Sequence, residues 1–226
     1  MASYLQVENV SKSYGPRVLF NNINMNINEG DKIALIAPNG TGKTSLLRIL
    51  AGVESSDGDG KVKFLKDIQI AFLAQDNVYD PALTIWEVVS SEAKNCQKHE
   101  IEEILYSLKL FEVDKLVSQL SGGEVKRVAI ACMFVKKPQF LVMDEPTNDL
   151  DLETLDLLED LISSYEGTVI VISHDRAFLD KIATETWVFD GEGHIESVVG
   201  GWSDVLAYYQ RIKKEDTVKK AQTVQK

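Results

Sequence analysis

The chain of 226 residues carries 35 acidic and 24 basic side chains, which gives a net charge of -11 and a pI of about 4.8. This acidity argues against a surface that binds nucleic acid through its own charge. No apolar run reaches the roughly 20 residues that cross a bilayer, and the first ten residues lack a signal-peptide pattern. With only two cysteines, Cys96 and Cys132, we expect a cytoplasmic protein without a disulfide framework.

The apolar pattern predicts strands and helices in alternation. Alternating or short apolar runs predict strands at 4–10, 18–28, 31–37, 61–64, 68–75, 140–144 and 168–173, and a hairpin at 184–201. Helical periodicity appears at 42–52, 84–95, 99–111 and 150–165. Buried strands separated by helices are typical of an α/β protein with a parallel core sheet.

The stretch "APNGTGKT", residues 37–44, lies between a predicted strand and a predicted helix, which is the context of a phosphate-binding loop. We expect the backbone amides of 39–44 to surround phosphate oxygens. Lys43 would reach the β- and γ-phosphates, and the Thr44 hydroxyl would hold Mg²⁺. Ala37 stands where the usual pattern has glycine, and the cost is small unless that residue is left-handed. The alternative is a glycine-rich turn that only caps a helix.

A second candidate element is "FLVMDEP", residues 140–146, where two acids follow a buried strand. Because successive strand side chains point to opposite faces, Asp144 and Glu145 are expected to have separate roles. We assign Asp144 to Mg²⁺, through water, and Glu145 to the attacking water as general base. An ordinary acidic strand-to-turn junction is the alternative.

Three further side chains are candidates because of their place in the predicted order. His174 follows a buried strand, where a neutral imidazole would bond the γ-phosphate. Gln75 ends a strand and would touch Mg²⁺ and the attacking water. Tyr14 would stack on adenine. Each also has a purely structural interpretation, as a core histidine, a surface glutamine or a turn aromatic.

The order of these motifs, with "LSGGE" at 120–124 and "NDLD" at 148–151, resembles the ATP-binding cassette superfamily from about residue 4 to 210. The segments "DEPTNDLD" and "SHDRAFLD" resemble the ABC-F family, and within it the Uup-like branch. The resemblance implies an α/β P-loop NTPase cassette with a mixed-sheet catalytic core, an N-terminal antiparallel β subdomain and a small helical subdomain. We therefore expect one domain over 1–210, with a helical insertion at about 76–135 and a basic tail or linker at 211–226.

A capping box between Ser121 and Glu124 would explain these two residues of the segment "SGGE" without any ligand. The two glycines are not explained by capping, because glycine destabilises a helix. The resemblance implies that Ser121, Gly122 and Gly123 cradle the γ-phosphate held by the P-loop of another cassette. Asp149 and Asp151 would then lie near the seam of a head-to-tail pair.

These predictions give an ATPase that uses ATP and Mg²⁺ and pairs with a second cassette, with the ribosome as a partner by family analogy. The catalytic candidates are Lys43, Gln75, Glu145 and His174. The nucleotide-binding candidates are Tyr14, Ala37, Pro38, Asn39, Gly40, Thr41, Gly42, Lys43, Thr44, Ser45, Ser121, Gly122 and Gly123. The metal candidates are Thr44, Gln75 and Asp144. The open alternatives are a transporter's nucleotide-binding subunit, a cassette that binds nucleotide with little turnover, and an engineered scaffold.

Overall fold

A computed structural model describes residues 3–94, 96–190 and 194–223, with side chains as far as residue 213. The strands are β1 (Ser3–Tyr14), β2 (Arg17–Asn28), β3 (Lys32–Ile36), β4 (Lys61–Phe64), β5 (Ile70–Leu73), β6 (Phe140–Asp144), β7 (Thr168–Ile172), β8 (Glu185–Phe189) and β9 (Ile195–Val199). The helices are α1 (Lys43–Leu50), α2 (Ile85–Glu92), α3 (Lys98–Ser107), α4 (Gly122–Phe134), α5 (Leu152–Ser164), α6 (Arg176–Ile182) and α7 (Trp202–Thr223), with a 3₁₀ turn at Val117–Gln119.

The core is a six-stranded sheet in the order β5-β6-β7-β3-β8-β9. Each neighbouring pair is parallel except β8 and β9, which form the predicted antiparallel hairpin. The predicted glycine-rich turn of that hairpin, at 191–193, lies outside the described residues. The sheet is therefore mixed, as the sequence predicted.

The central strands are buried on both faces. Ile33 and Leu35 of β3 belong to a core shared with β1, β2 and α1, while Ala34 between them belongs to a core shared with helices on the opposite face. This alternation follows from the period of two in a strand. It explains why these strands read as continuous apolar runs, since both faces need apolar side chains.

A smaller antiparallel sheet, β2-β1-β4, covers one side of the core. β1 and β2 meet at a tight turn in which Gly15 has φ +58°. Tyr14 and Arg17 face each other across this turn. The turn thereby holds an aromatic ring and a guanidinium above the segment that follows β3.

The helices α2, α3 and α4 pack on the opposite face of the sheet, and the N-terminal ends of α2 and α4 carry capping boxes. Fold class and the helical subdomain are as predicted, while the exact bounds 76–135 and 1–210 stay predictions.

The backbone of the basic tail is helical as far as residue 223. The last three residues of that predicted tail lie outside the described part of the chain. Within the described residues, no helix is both long enough and apolar enough to cross a bilayer.

Candidate functional site

The sheet topology brings four distant segments to one edge. β5, β6, β7 and β3 are neighbours and run parallel, so their carboxyl ends lie side by side. Gln75 comes just after β5, Asp144 ends β6, His174 comes just after β7, and the glycine-rich loop follows β3. These ends line a cavity of about 480 Å³.

Many of the predicted residues line this cavity. Its lining contains the predicted residues Tyr14, Asn39, Gly40, Gly42, Lys43, Thr44, Ser45, Gln75, Asp144, Glu145 and His174, together with Arg17, Leu19 and Asn148. Among the residues that the structure describes, Ala37, Pro38, Thr41, Ser121, Gly122 and Gly123 are predicted nucleotide contacts outside this lining. The structure therefore does not bring these six residues into the wall of this cavity.

The glycine-rich loop has the backbone that its sequence requires. Gly40 and Gly42 have φ of +78° and +92°, whereas Ala37 is not left-handed. The alanine therefore costs little at a position where glycine is usual. A side chain at Gly42 would place its Cβ 2.9 Å from Leu19 Cβ, so glycine is needed there for space as well.

The side chains of Lys43 and Thr41 donate hydrogen bonds to backbone carbonyls within the loop and so stabilise its shape. The Lys43 ammonium donates to the Ala37 carbonyl at 2.9 Å and lies 3.2 Å from Asn39 Oδ1. The Thr41 hydroxyl donates to the Pro38 carbonyl at 2.8 Å. Ala37, Pro38 and Thr41 thus contribute to the shape of the loop rather than to the cavity wall.

Tyr14 is an exposed aromatic ring held by a hydrogen bond at the rim of the cavity. The side chain is 54% exposed, yet its hydroxyl donates to Glu54 Oε1 at 2.9 Å. Glu54 also pairs with Lys12 at 2.8 Å, and Ser45 Oγ lies 3.4 Å from the Tyr14 hydroxyl. An exposed ring fixed in this way is available for stacking on a flat ligand. The role of Glu54 was missed, because it lies 40 residues further along the chain.

Asp144 is a buried carboxylate with an unused acceptor. It is 2% exposed, and its Oδ2 has no hydrogen-bond partner within the described residues. Burial raises the pKa of Asp144, while the Thr44 hydroxyl and the Lys126 and Lys43 ammonium groups act in the opposite direction. An unpaired carboxylate oxygen in such surroundings is a good ligand for a hard cation.

The donor set around Asp144 fits Mg²⁺. Thr44 and Gln75, whose side chains each carry an oxygen atom, line the same cavity, and Mg²⁺ is usually held by one or two carboxylates together with substrate phosphates. In the described part of the chain, no cluster of three or more histidine, cysteine or carboxylate groups forms a protein-only metal site. A metal here would accordingly depend on oxygen atoms from a bound phosphate.

Glu145 differs from the prediction in one respect. β6 ends at Asp144, and Glu145 has a left-handed backbone with φ +49°. Strand alternation therefore does not apply to this pair, and both acids line the same cavity. Left-handed backbone in a residue other than glycine is strained and is often found at functional sites.

His174 and Glu145 contact each other twice. The His174 backbone N–H donates to Glu145 Oε2 at 3.1 Å, and His174 Nε2 lies 3.3 Å from Glu145 Oε1. Glu145 is buried while the imidazole is largely exposed. The carboxylate is therefore fixed in place, with the imidazole beside it at the open side of the cavity.

The segment 121–124 lies elsewhere and is exposed at its first two residues. The Ser121 hydroxyl accepts from the Glu124 N–H at 3.3 Å, and Glu124 Oε2 accepts from the Ser121 N–H at 2.8 Å, which confirms the capping box. A Cβ at Gly123 would lie 3.0 Å from the Asp149 carbonyl. The glycine thus allows α4 to approach the segment that carries Asp149, which has φ +65°.

Asp151 has a local role that the sequence did not predict. It is the N-cap of α5, where its Oδ1 accepts from the Thr154 N–H at 2.7 Å. The backbone hydrogen bond from Thr154 lowers the pKa of Asp151. Any role at a seam between cassettes would come in addition to this cap.

Lys126 is a buried cation that sequence reasoning missed. It lies on α4 and is 5% exposed. Burial lowers the pKa of Lys126, and the nearby carboxylates of Asp144, Asp149, Asp76 and Glu145 oppose that change. A signal was present, because 126, 129, 130 and 133 share one helical face and the last three are apolar.

Comparison with known proteins agrees with this geometry. Residues 20–148 match the family model described as ABC transporter. The ATP-binding protein Uup of Escherichia coli is 37% identical over 226 residues, covering 96% of this chain and 35% of the relative. The energy-dependent translational throttle protein EttA of Escherichia coli is 36% identical over 214 residues, covering 92% of this chain and 38% of the relative.

A solved structure of the ATP-binding subunit of an ABC transporter has a TM-score of 0.79 at 20% identity, and the match covers 92% of this chain and 94% of that one. This likeness shows the cassette fold. The chain spans about a third of the length of the curated Uup relatives that it matches.

Proposed function

Because the chain belongs to the ABC transporter family of ATP-binding cassettes, we propose that it hydrolyses ATP to ADP and phosphate in the presence of Mg²⁺. One observation carries the proposal. A phosphate-binding loop, a buried carboxylate with an unused oxygen and a fixed glutamate–histidine pair line a single cavity. A site that only bound Mg·ATP would need the loop and the carboxylate, but it would not need the glutamate–histidine pair.

In this proposal the nucleotide is held at two ends. Tyr14 stacks on adenine, and the backbone amides of 39–44 with the Lys43 ammonium bind the β- and γ-phosphates. Lys43 exchanges its contacts with the loop for contacts with phosphate oxygens, which are stronger acceptors because they are charged. Ser45, beside the Tyr14 hydroxyl, lies at the start of α1, where its helix N-terminus favours an anion.

Thr44, Asp144 and Gln75 would hold Mg²⁺. When bound, the ion supplies charge neutralisation of the phosphates. Glu145 accepts the proton of a water molecule as the water oxygen bonds to the γ-phosphorus and the bond to ADP breaks. The His174 imidazole donates a hydrogen bond to the γ-phosphate, while the His174 backbone N–H keeps Glu145 oriented.

Pairing with a second cassette would complete the site. Ser121 and Gly122 are exposed, and they lie outside the lining of the cavity on their own chain. The N-terminus of α4 favours negative charge, so this segment is suited to a γ-phosphate bound by another cassette. ATP then favours the paired state, and hydrolysis releases it.

The test measures the mass in solution of the Glu145→Gln variant by light scattering, with and without Mg·ATP. We expect a change from 25.2 kDa to about 50 kDa, as for a symmetric dimer. The matched control adds Ser121→Arg, which should leave ATP binding intact and prevent the change in mass. If the single variant binds ATP as a monomer, a second copy of this chain is not its partner. If it does not bind ATP, the nucleotide site itself is wrong.

Similarity to these relatives favours the ribosome as the macromolecular target. EttA is named a translational throttle protein, and the Uup and EttA relatives at 36–37% identity support a cytoplasmic ABC-F role over a transporter subunit. Co-sedimentation of Glu145→Gln with 70S ribosomes, with ATP against ADP, tests this role. ATP-dependent binding is expected, and equal recovery with both nucleotides would argue against it.

A further inference from the structure

Lys126 makes a contact that the proposed mechanism does not use. The Lys126 ammonium donates to the Gln75 carbonyl at 3.1 Å and to the Ala74 carbonyl at 3.3 Å. Both acceptors belong to the segment that follows β5 and carries the Gln75 carboxamide. One side chain of α4 therefore fixes the backbone of a cavity residue.

The segment after β5 needs such support because of its position in the sheet. β5 is an edge strand that, within the described residues, pairs with β6 alone, and the ladder between them ends at Leu73. Beyond that residue, the Asn77 side chain donates to the Ala74 carbonyl at 3.0 Å. Lys126 and Asn77 are thus the described side chains that fix the carbonyls of Ala74 and Gln75.

A simple packing role does not explain a lysine at this position. The surrounding face of α4 is apolar, with Ala129, Ile130 and Met133 all buried. An apolar side chain of similar length would fill the space without desolvating an ammonium group. A lysine adds two hydrogen bonds, to the backbone carbonyls of Ala74 and Gln75.

α4 also begins at the segment 121–123, which the proposed function assigns to the partner's γ-phosphate. Lys126 lies little more than one turn further along that helix. A continuous series of contacts therefore runs from the exposed N-terminus of α4, through the Lys126 side chain, to the Gln75 backbone.

We propose that Lys126 is a positioning residue that fixes Gln75 at the cavity and makes its position follow that of helix α4. The proposal rests on the proposed ATPase function. It predicts that pairing of two cassettes, which would contact the start of α4, is transmitted to Gln75 through Lys126.

The experiment uses Lys126→Met, which keeps the side-chain length and removes the donor. In the nucleotide-free protein, amide hydrogen exchange of residues 74–78 should become about tenfold faster, because the local structure opens more readily. ATP affinity in EDTA should stay unchanged. The Mg²⁺ concentration for half-maximal hydrolysis should rise about tenfold or more, as expected when a group that supports a metal ligand is removed.

Two variants serve as controls. Lys126→Arg keeps the charge and donors and should restore slow exchange and the wild-type Mg²⁺ dependence. Val128→Ala removes buried volume from the same helix, where Val128 is fully buried, and should lower thermal stability without changing the Mg²⁺ dependence. Lys126→Leu, which also lacks a donor, replaces Lys126→Met if the latter does not fold.

The proposal is overturned if Lys126→Met behaves like Val128→Ala, with lower thermal stability but wild-type exchange at 74–78 and wild-type Mg²⁺ dependence. The hydrogen-exchange measurement needs neither ATP nor turnover. If the wild-type protein failed to bind ATP, the proposed function would fall, while the exchange data would still decide whether Lys126 fixes the Gln75 segment.

Discussion

Glu124 is predicted to stabilise the chain through three contacts at the start of α4. Its carboxylate accepts from the Ser121 N–H and hydroxyl, both at 2.8 Å, and from the Lys115 ammonium at 2.7 Å. Replacing Glu124 by alanine removes all three. A helix cap contributes about 1 kcal/mol, and a partly exposed ion pair adds up to about 1 kcal/mol. We therefore expect Glu124→Ala to lower the free energy of unfolding by about 2 kcal/mol.

The pH dependence gives a second measure of the same contacts. The Lys115 ammonium and the Ser121 N–H lower the pKa of Glu124 from 4.5 to about 2. This difference sets an upper bound of about 3 kcal/mol, and we expect less because the side chain is 23% exposed. A lowered pKa means that the stabilisation is complete above about pH 4.5 and is lost as the pH falls towards 2.

The assay is thermal unfolding at pH 7 and at pH 3. At pH 7 we expect Tm to fall by about 4–8 °C in Glu124→Ala, and the gap from wild type should narrow at pH 3. Glu124→Gln keeps an acceptor for Ser121, so its Tm should fall by about half as much as that of Glu124→Ala. Glu87→Ala is the matched control, because Glu87 closes the same type of box with Thr84 and, within the described residues, has no cation partner. Glu87→Ala should lower Tm by less than Glu124→Ala does. An equal fall in Tm for the two variants would refute the reasoning, and so would a Tm for Glu124→Ala within about 1 °C of wild type.

Substitutions at three positions test the nucleotide site. Lys43→Ala should weaken ATP binding by about 100-fold in calorimetry, because it removes charge-assisted hydrogen bonds to phosphate; unchanged affinity would contradict the loop assignment. Gly42→Ala should lower the free energy of unfolding by about 1–3 kcal/mol in urea titrations, because φ is +92° there and the new Cβ meets Leu19; wild-type stability would show that the loop adjusts freely. Tyr14→Ser should weaken ATP binding about tenfold while Tyr14→Phe keeps most of it, since stacking on a base needs the ring; equal affinities for the two variants would exclude a stacking role.

Much of the fold was accessible from the sequence because its central strands are buried on both faces. Continuous apolar runs predicted β3, β6 and β7, and the structure has them at Lys32–Ile36, Phe140–Asp144 and Thr168–Ile172. The predicted strand at 68–75 is shorter, Ile70–Leu73. It lies at the sheet edge, where fewer hydrogen bonds extend a strand beyond its apolar core.

The candidate site was accessible where a local pattern carries the chemistry. The loop 37–44 and the acids at the end of β6 are each contiguous in sequence, and the structure brings both acids and most of the loop to one cavity. Arg17 was missed because its place at the cavity depends on pairing with Tyr14 across a turn. The left-handed backbone of Glu145 was also missed, because neighbouring segments impose it and its own residue type disfavours it.

The position of β3 also has a consequence for biosynthesis. β3 is made early, at Lys32–Ile36, but its sheet neighbours are β7 and β8, which begin at Thr168 and Glu185. Residues 37–167 must all be added before this buried strand finds either partner, and such long-range pairing is slow and leaves apolar segments exposed during synthesis. A chain arrested before β7 therefore carries the complete phosphate loop without the strand that flanks it. Nucleotide binding should therefore begin only after β7 has been synthesised, and it would mark the completion of this part of the sheet on a nascent chain.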